Sequence, residues 1–395
     1  MREDKNQMIK NKDIYYFDHA STTPLRKEVI AVMHEFFNKK YANAASSHCM
    51  GQQSEKAIEK AREELALLIG ANNTEEIIFT SGGTEANNLV IKGIAMAYAE
   101  QGKHIITSSI EHPAVLESCR FLEKHLSFKL SYLDVDQDGF VNPEALKSSI
   151  RDDTILISIM AANNEIGTIQ AIKKLANIAA KNDIFFHTDA VQAVPQMKFD
   201  VQEIGVDALS LSAHKFNGPK GVGALYLKSG IKVIPQQSGG SQERKRRAGT
   251  VNVPGIVGMA KASELVRNEL ESKVEKIKDL RDYFLERVFS EINNITLNGA
   301  DRKNRLANNA NLSFKGLDGE TILYNLSLKN IAVSTGSACA SGSIGVSHVL
   351  KAISIEKETA KSAVRFTFGL ENNKSQIDYL VNNLKDTVKH LRSLK

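Results

Sequence analysis

The sequence contains only three cysteines in 395 residues. Their number is odd and no pair has the CxxC spacing, which argues against a disulfide framework and against a cysteine-ligated zinc site. Free thiols persist in a reducing compartment. We therefore predict a cytoplasmic protein that is built without a structural metal.

Long apolar runs are also missing from the chain. No stretch is long enough to cross a bilayer and none resembles the hydrophobic region of a signal peptide, so we expect no membrane association. The formal net charge of +5 is too small to indicate nucleic-acid binding by the whole chain. With 42% hydrophobic and 25% charged residues, the composition is that of a globular protein, and the length indicates about two or three domains.

What the sequence does contain is an alternation of strand and helix patterns between about residues 75 and 230. Seven short apolar runs are strand candidates: EIIFT, HIITSS, FKLSYL, TILISIM, DIFFHTD, ALSLS and GALYLK. Helical patterns lie between several of them, which predicts an α/β domain with a largely parallel sheet. After about Pro254, a long charged helical stretch over residues 255–292 leads into a smaller α+β region that ends in an amphipathic helix.

Ligands of open α/β sheets bind beyond the carboxyl ends of the strands, and four of these ends carry unusual residues. At the first, FTSGGTEANNL, a strand runs into a glycine turn with Gly83 and Thr84 and then opens a helix. The exposed N–H groups at such a helix start favour an anion such as phosphate. An ordinary turn with Thr84 as the helix N-cap is the alternative.

Two further strand ends carry charged side chains. Asp189 ends the run DIFFHTD and Gln192 follows three residues later. A buried carboxylate needs a partner, which a protonated ring nitrogen would provide; a structural ion pair or a helix cap is the alternative. The run ALSLS ends at Ser212 and leads to His214 and Lys215. A lysine there could form a Schiff base with an aldehyde cofactor, or it could be an ordinary surface lysine in a turn.

The fourth strand end is followed by EHPAV, which contains His112. Its flat imidazole could stack on a flat cofactor or transfer protons, and a capping or core histidine is the alternative. Each of the four signals is weak alone. Together, a phosphate cradle, an acid for a pyridinium nitrogen, a stacking histidine and a Schiff-base lysine are what pyridoxal phosphate requires, so we predict pyridoxal 5′-phosphate as the cofactor.

The sequence resembles the cysteine desulfurases, which are fold-type I pyridoxal-phosphate enzymes of the class V aminotransferase group. More narrowly, it resembles the IscS/NifS type that supplies sulfur for iron–sulfur clusters. The resemblance extends from residue 17 to the last helix. It rests most specifically on the motifs SGGTEANN, NNEIGTIQ, HTDAVQ, SAHKFNGPKG, RRAGTVNVP, STGSACAS and VRFTFG.

The resemblance implies a transferase fold with a large domain, built on a mostly parallel seven-stranded sheet, and a smaller α+β domain. The chain would then divide into four segments. They are a disordered tail (1–12), a stretch associated with the small domain (13–24), the large cofactor-binding domain (25–262) and the small C-terminal domain (263–395).

The resemblance also implies a role for each matched residue. Lys215 would form the Schiff base with the cofactor, His112 would stack on its ring and move protons, and Cys339 would accept the sulfur. Asn164 and Arg365 would hold the substrate carboxylate. The cofactor-binding residues that it implies are Gly83, Thr84, His112, Asn164, Asp189, Gln192, Ser212, His214, Lys215 and, from the second subunit of a homodimer, Thr250.

The stretch VSTGSACASGS (residues 333–343) is small and polar, which is typical of a mobile surface loop. The resemblance implies that L-cysteine is converted to L-alanine while Cys339 takes up the sulfur as a persulfide. A mobile loop would let Cys339 meet the substrate and then a sulfur acceptor, such as an iron–sulfur scaffold or a tRNA thiolation enzyme. Because the thiolate is the nucleophile, we expect a lowered thiol pKa near the site, with His112 as a candidate cause.

Some features lie outside this pattern. In YANAASSHCMG (residues 41–51), Ala42 and Ala44 stand where the family shows Gly and Pro, which leaves the geometry of this loop open. The basic run at residues 244–247 is either a solvated loop or a docking patch for an acidic partner protein. Cys119 is expected to be a small buried residue, whereas Cys49 has no predicted role.

Three rival functions remain beside the desulfurase. Selenocysteine lyase activity could accompany desulfurase activity. A class V aminotransferase would have no need of a cysteine in the 333–343 loop. An inactive homologue that acts as a scaffold would be expected to lack Lys215, which is present.

Overall fold

The computed structural model of the chain describes residues 14–335 and 346–394. The strands are β1 (Tyr15–Tyr16), β2 (Ile77–Thr80), β3 (His104–Ser108), β4 (Lys129–Leu133), β5 (Thr154–Ser158), β6 (Phe185–Asp189), β7 (Ala208–Ser212), β8 (Gly223–Leu227), β9 (Ile295–Leu297), β10 (Asn309–Phe314), β11 (Ile331–Ala332) and β12 (Ala363–Thr367). The helices are α1 (Lys27–Asn38), α2 (Cys49–Ile69), α3 (Gly83–Ala97), α4 (Pro113–Leu126), α5 (Pro143–Ser149), α6 (Ile172–Ala180), α7 (Val201–Ile204), α8 (Val253–Glu291), α9 (Gly319–Ser327), α10 (His348–Ala352), α11 (Lys357–Lys361) and α12 (Lys374–Ser393).

Seven of the strands form one sheet in the order β2-β8-β7-β6-β5-β3-β4. Neighbouring strands are parallel except at β8, which is antiparallel to both β2 and β7. Each strand corresponds to one of the seven apolar runs in the sequence. A strand that helices cover on both sides is apolar on both faces, which is why most of these runs are continuous rather than alternating. The exception is β4, which lies at the edge of the sheet and is largely exposed. The predicted α/β class and the mostly parallel seven-stranded sheet are confirmed.

A second sheet is antiparallel and has the order β12-β10-β9. The long helix α8 links the two sheets. Ile256 and Val266 in its first part pack into the core of the large sheet, whereas Ile277 and Phe284 in its last part pack with β10, β12 and α12. The helical stretch predicted at residues 255–292 is thus confirmed. The division of the chain between residues 262 and 263 stays a prediction.

The residues just before α1 lie against the smaller sheet. β1 pairs in parallel with β11, and Asp18 forms a bridge to Thr367 at the end of β12. Phe17 is fully buried, with its ring centroid 5.7 Å from that of Phe368. The chain then turns back toward the large sheet, which brings residues 18–23 between the two sheets.

The basic run at residues 244–247 begins in a strained backbone. Glu243, Arg244 and Lys245 all have positive φ values of 46°, 55° and 65°. Left-handed backbone costs about 1–2 kcal/mol at each non-glycine residue, so other contacts must hold the segment. The buried Glu243 carboxylate supplies them, because its two oxygens pair with the Arg62 guanidinium at 2.8 and 3.0 Å.

The side chains of Arg246 and Arg247 form hydrogen bonds to partners within the chain. Arg246 Nη2 donates to the main-chain oxygen of Glu75 at 2.6 Å. Arg247 pairs with both Glu85 oxygens, at 2.7 and 3.2 Å. The interpretation of the run as a solvated loop is therefore wrong for Arg246 and Arg247, and the docking patch stays a prediction.

The segment at residues 41–51 already contains the start of a helix. α2 begins at Cys49, and His48 caps it because its Nδ1 accepts a hydrogen bond from Gly51 N at 3.2 Å. Cys49 is exposed at this first helical position. Cys119 is buried within α4, and burial raises the pKa of its thiol to about 12, which confirms it as a packing residue. Within residues 14–335 and 346–394, we find no helix that is both long and apolar enough to cross a membrane.

Candidate active site

A cavity of about 210 Å³ lies beyond the carboxyl ends of the central strands. Within residues 14–335 and 346–394, it brings together every predicted site residue except Thr250. Those that line it are Gly83, Thr84, His112, Asn164, Asp189, Gln192, Ser212, His214, Lys215 and Arg365. The carboxyl ends of parallel strands meet at one edge of a sheet, which explains how residues so far apart in the sequence converge.

Lys215 is held by a segment near the N-terminus that we did not assign to the site from the sequence. The lysine ends a short 3-10 turn, Ala213–Lys215, that follows β7. Its Nζ donates to the main-chain oxygens of Ala20 (2.5 Å) and Ser21 (2.8 Å). Gln192 Nε2 also donates to the Ala20 oxygen, at 2.9 Å. Ala20 and Ser21 line the cavity, so this segment forms one of its walls.

Asp189 presents a buried carboxylate at the end of β6. Its Oδ2 accepts a hydrogen bond from Asn87 Nδ2 at 2.7 Å, and its Oδ1 accepts one from the main-chain N–H of Val191 at 3.0 Å. These contacts fix the orientation of the carboxylate in the cavity wall. A protonated ring nitrogen placed in the cavity would offset the cost of burying this charge.

The turn between β2 and α3 fits a phosphate group. Gly82, rather than Thr84, is the N-cap of α3. No side chain among the described residues caps the helix, so its first N–H groups are available to an anion. A Cβ atom at Gly83 would lie 2.8 Å from Val191 Cγ2, so a larger residue there would press on the cavity wall at Val191. The hydroxyls of Thr84 and Ser212 line the same cavity.

Both cavity histidines are neutral near pH 7. Burial, reinforced by the charge of Lys215, lowers the pKa of His214 to about 4. Burial also lowers the pKa of His112, which is the N-cap of α4 and accepts a hydrogen bond on Nδ1 from Ala114 N at 3.1 Å. Because Nδ1 is the acceptor, the His112 proton is on Nε2. A neutral His112 cannot lower a thiol pKa by its charge, so the structure gives no support to that expectation.

Glu111 is a buried acid beside His112 that we did not predict from the sequence. Its Oε1 accepts hydrogen bonds from Ser108 Oγ (2.6 Å) and from Met160 N (2.9 Å), and its Oε2 is buried without a partner among the described residues. Burial, with a smaller effect from Asp189, raises the pKa of Glu111 to about 8. The side chain is therefore mostly protonated at pH 7 and adds no second negative charge near Asp189.

This raised pKa predicts a pH-dependent stability. The folded protein holds the Glu111 proton up to about pH 8, whereas an unfolded chain releases it near its ordinary value of 4.5. The free energy of unfolding should therefore fall by roughly 1 kcal/mol per pH unit between about pH 5 and pH 8 through this group. In Glu111→Gln that contribution is absent, so the decline measured by urea unfolding should be shallower. Glu117→Gln, on the exposed face of α4, is the control; equal slopes for wild type and Glu111→Gln would contradict the assignment.

Arg365 lies on β12 and reaches the cavity from the smaller sheet. Its guanidinium is buried and donates to Asn164 O (2.9 Å), Asp18 Oδ1 (2.8 Å) and Ser21 Oγ (2.7 Å). Its Nε–H has no hydrogen-bond partner among the described residues. Arg365 and Asn164 both line the cavity, and a forked cation is the side chain best suited to a carboxylate there. Ser21 thus contacts Arg365 through its hydroxyl and Lys215 through its main chain.

Two predicted site residues are absent from the described residues that line the cavity. Thr250 is exposed and does not line the cavity of its own chain, so its contribution to a second subunit stays a prediction. Cys339 lies outside the described residues. The chain on either side of it is tied to the site, because Ser334 and Arg365 exchange main-chain hydrogen bonds and Ser347 Oγ donates to Glu165 Oε2 at 2.5 Å.

The arrangement can be compared with known proteins. A family model described as aminotransferase class-V matches residues 15–380. The chain belongs to this family. Its members use pyridoxal phosphate, which agrees with the cofactor predicted from the strand ends.

Several individual proteins are similar to the chain over nearly its whole length. The chain is 54% identical over 379 residues to the cysteine desulfurase IscS of Dictyoglomus turgidum, covering 96% of this chain and 95% of the relative. It is 48% identical to the cysteine desulfurase IscS of Methanosarcina thermophila, covering 99% and 96%. Among solved structures, a NifS-like protein superposes with a TM-score of 0.90 at 36% identity, covering 96% of this chain and all of that one. The resemblance to the cysteine desulfurases and the predicted fold are confirmed.

The residues present fit the cofactor of this class V aminotransferase family. The uncapped start of α3 and the cradle at Gly83 suit its phosphate, Asp189 suits its ring nitrogen and Lys215 can reach its aldehyde. The wall at Ala20 and Ser21, the acid Glu111 and the amide Asn87 were not predicted. Of these, Asn87 lies within the SGGTEANN motif, which was the one signal in the sequence that could have pointed to it.

Proposed function

We propose that this protein is a pyridoxal-phosphate-dependent cysteine desulfurase that converts L-cysteine to L-alanine and takes up the sulfur on Cys339. The observation that carries the proposal is the convergence of Lys215, Asp189, His112 and Arg365 on one cavity. Cysteine desulfurases at 54% and 48% identity over nearly the whole chain give this cavity its substrate class.

The bound cofactor would supply an electron sink for charge that develops at the substrate Cα. Asp189 would keep the ring nitrogen protonated, which makes that sink effective. Arg365 and the neighbouring Asn164 would orient the substrate through its carboxylate. Lys215 would hold and return protons beside the substrate, and the neutral His112 would stack on the ring with a proton on Nε2.

The sulfur transfer balances without an external oxidant. The Cys339 thiolate attacks the sulfur of the substrate, so an S–S bond forms and the substrate C–S bond breaks. The electron pair of that bond goes to the substrate carbon, which then takes a proton and becomes the methyl group of L-alanine. The protein is left with a persulfide on Cys339, whose terminal sulfur carries the charge or a proton.

The same proposal implies which molecules the protein binds and in which cellular compartment it acts. L-cysteine is the substrate, and a second copy of the chain would complete the phosphate site through Thr250. A sulfur-acceptor protein, such as an iron–sulfur scaffold or a tRNA thiolation enzyme, would receive the persulfide sulfur in the cytoplasm. The exposed position of Thr250 supports a role outside its own cavity.

The proposal is tested by incubating the purified holoenzyme with L-cysteine and a thiol reductant. L-alanine and sulfide should appear in equal amounts. L-selenocysteine and a pair of amino and oxo acids are tested in parallel. Faster turnover of selenocysteine would assign a selenocysteine lyase, and amino-group transfer without sulfide would assign an aminotransferase.

The role of Arg365 gives a separate prediction. In Arg365→Ala, the kcat/KM for L-cysteine should fall by about a hundredfold or more, because a charge-assisted hydrogen bond to the substrate carboxylate is lost. The visible absorption of the bound cofactor should remain, since Arg365 is proposed to hold the substrate rather than the cofactor. Arg302→Ala, on the turn that precedes β10 and away from the cavity, is the control. Loss of cofactor absorption in Arg365→Ala would mean that Arg365 is structural.

A further inference from the structure

We infer that Arg247 and Glu85 form a positioning pair for the cofactor phosphate: Arg247 neutralises a carboxylate that would otherwise repel the phosphate at the start of α3. The inference extends the proposed cofactor site to the basic run at residues 244–247. It rests on the phosphate being bound at the turn between β2 and α3.

Glu85 is built into that turn. It is the residue after Thr84 and lies in the first turn of α3. Its Oε2 accepts a hydrogen bond from Ser81 N at 2.8 Å, which closes the Ser81–Thr84 turn. Burial alone would raise the pKa of Glu85, but the hydrogen bonds from Arg247 and Ser81 hold it below its ordinary value. The carboxylate is therefore ionised beside the proposed phosphate site.

The Glu85 carboxylate and a bound phosphate would both lie in the positive electrostatic field at the N-terminus of α3. The first N–H groups of α3 attract negative charge, and a phosphate bound there carries its own. An uncompensated Glu85 carboxylate would repel it, and the repulsion is strong because the side chain is only 15% exposed. A counter-charge on Glu85 is thus required for tight phosphate binding.

Arg247 is placed to provide this counter-charge. Its Nε donates to Glu85 Oε1 at 2.7 Å and its Nη2 donates to Oε2 at 3.2 Å, which is a forked pair with defined orientation. The Arg247 side chain is 18% exposed, so the pair is weakly screened by solvent. The neighbouring pair between Arg62 and Glu243 anchors the same segment to β2, because Glu243 Oε2 also accepts from Phe79 N at 2.9 Å.

The pair has a second consequence for the segment that follows. Arg247 is three residues before Thr250, and the intervening Gly249 has a φ of +108°, which favours glycine. The contact between Arg247 and α3 therefore also fixes the start of the exposed segment that leads to Thr250. One contact would then serve the phosphate cradle of this subunit and the residue offered to its partner.

The test compares the dissociation constants of pyridoxal phosphate and of pyridoxal, which lacks the phosphate, for four forms of the full-length protein. In Arg247→Gln, affinity for pyridoxal phosphate should fall by about tenfold or more, while affinity for pyridoxal changes less than about twofold. In Glu85→Gln, pyridoxal phosphate should bind at least as tightly as in wild type, because the repelling charge is gone. The double variant should regain most of the lost affinity.

The controls separate this role from simple loop stability. Lys245→Gln removes an equal charge from the same run at an exposed position and should leave both affinities unchanged. If the pair only fastens the loop, Glu85→Gln will weaken the binding of pyridoxal phosphate as Arg247→Gln does. Pyridoxal will then bind more weakly too, and the double variant will not regain affinity. Any of these results overturns the inference. If wild type binds pyridoxal as tightly as pyridoxal phosphate, the phosphate site itself is misplaced and the proposed cofactor site fails with it.

Discussion

Cys339→Ala should lose the formation of L-alanine from L-cysteine by about a thousandfold or more. Without a thiolate to attack the substrate sulfur, the C–S bond has no acceptor for its sulfur atom. The visible absorption of the bound cofactor should be unchanged, because the residues proposed to contact the cofactor, including Lys215, line the cavity. Alanine formation is measured with purified holoenzymes at saturating L-cysteine.

Cys49→Ala is the matched control for this experiment. Cys49 is an exposed thiol that begins α2 rather than lying in the proposed sulfur-accepting stretch. The control should keep nearly full activity. If activity survives in Cys339→Ala and disappears in Cys49→Ala, the assignment of Cys339 as the sulfur acceptor is wrong.

Lys215→Ala should be inactive, with a loss of about a thousandfold or more in kcat. Its Nζ donates to the main-chain oxygens of Ala20 and Ser21, so it has a defined position in the cavity. Under the proposed function, removing it takes away both the covalent attachment of the cofactor and the group that would return protons to the substrate. Borohydride reduction of wild type should fix the cofactor on the peptide that contains Lys215, whereas the variant should release it on denaturation.

Lys220→Ala provides the comparison, since this exposed lysine lies five residues after Lys215. It should keep both turnover and borohydride labelling. Covalent labelling that persists in Lys215→Ala, or that is lost in Lys220→Ala, would show that another lysine carries the cofactor.

Much of the large sheet was predictable because its strands, except the edge strand β4, are buried on both faces. Runs such as ALSLS and HIITSS are typical of strands even without a known partner, and their carboxyl ends had to share an edge of the sheet. That geometry is also why the sequence alone could place Asp189, Lys215 and His112 together. The motif at Gly83 indicated the phosphate end for the same reason.

What the sequence could not reveal depends on contacts between distant segments. Ser21 reaches Lys215 and Arg365 only because the N-terminal segment returns between the two sheets. Burial raises the pKa of Glu111, and no local sequence pattern shows that this side chain is buried. The basic run at residues 244–247 looked solvated because its partners, Glu75 and Glu85, are more than 150 residues away.

The most direct test of the central claim is mass spectrometry of the protein after one turnover. Holoenzyme is mixed with an equal amount of L-cysteine without reductant, trapped with a thiol-alkylating reagent and digested. The peptide that contains Cys339 should gain one sulfur atom, in step with the L-alanine formed. L-alanine without added sulfur on that peptide, or with the sulfur on another cysteine, would contradict the claim that Cys339 receives it.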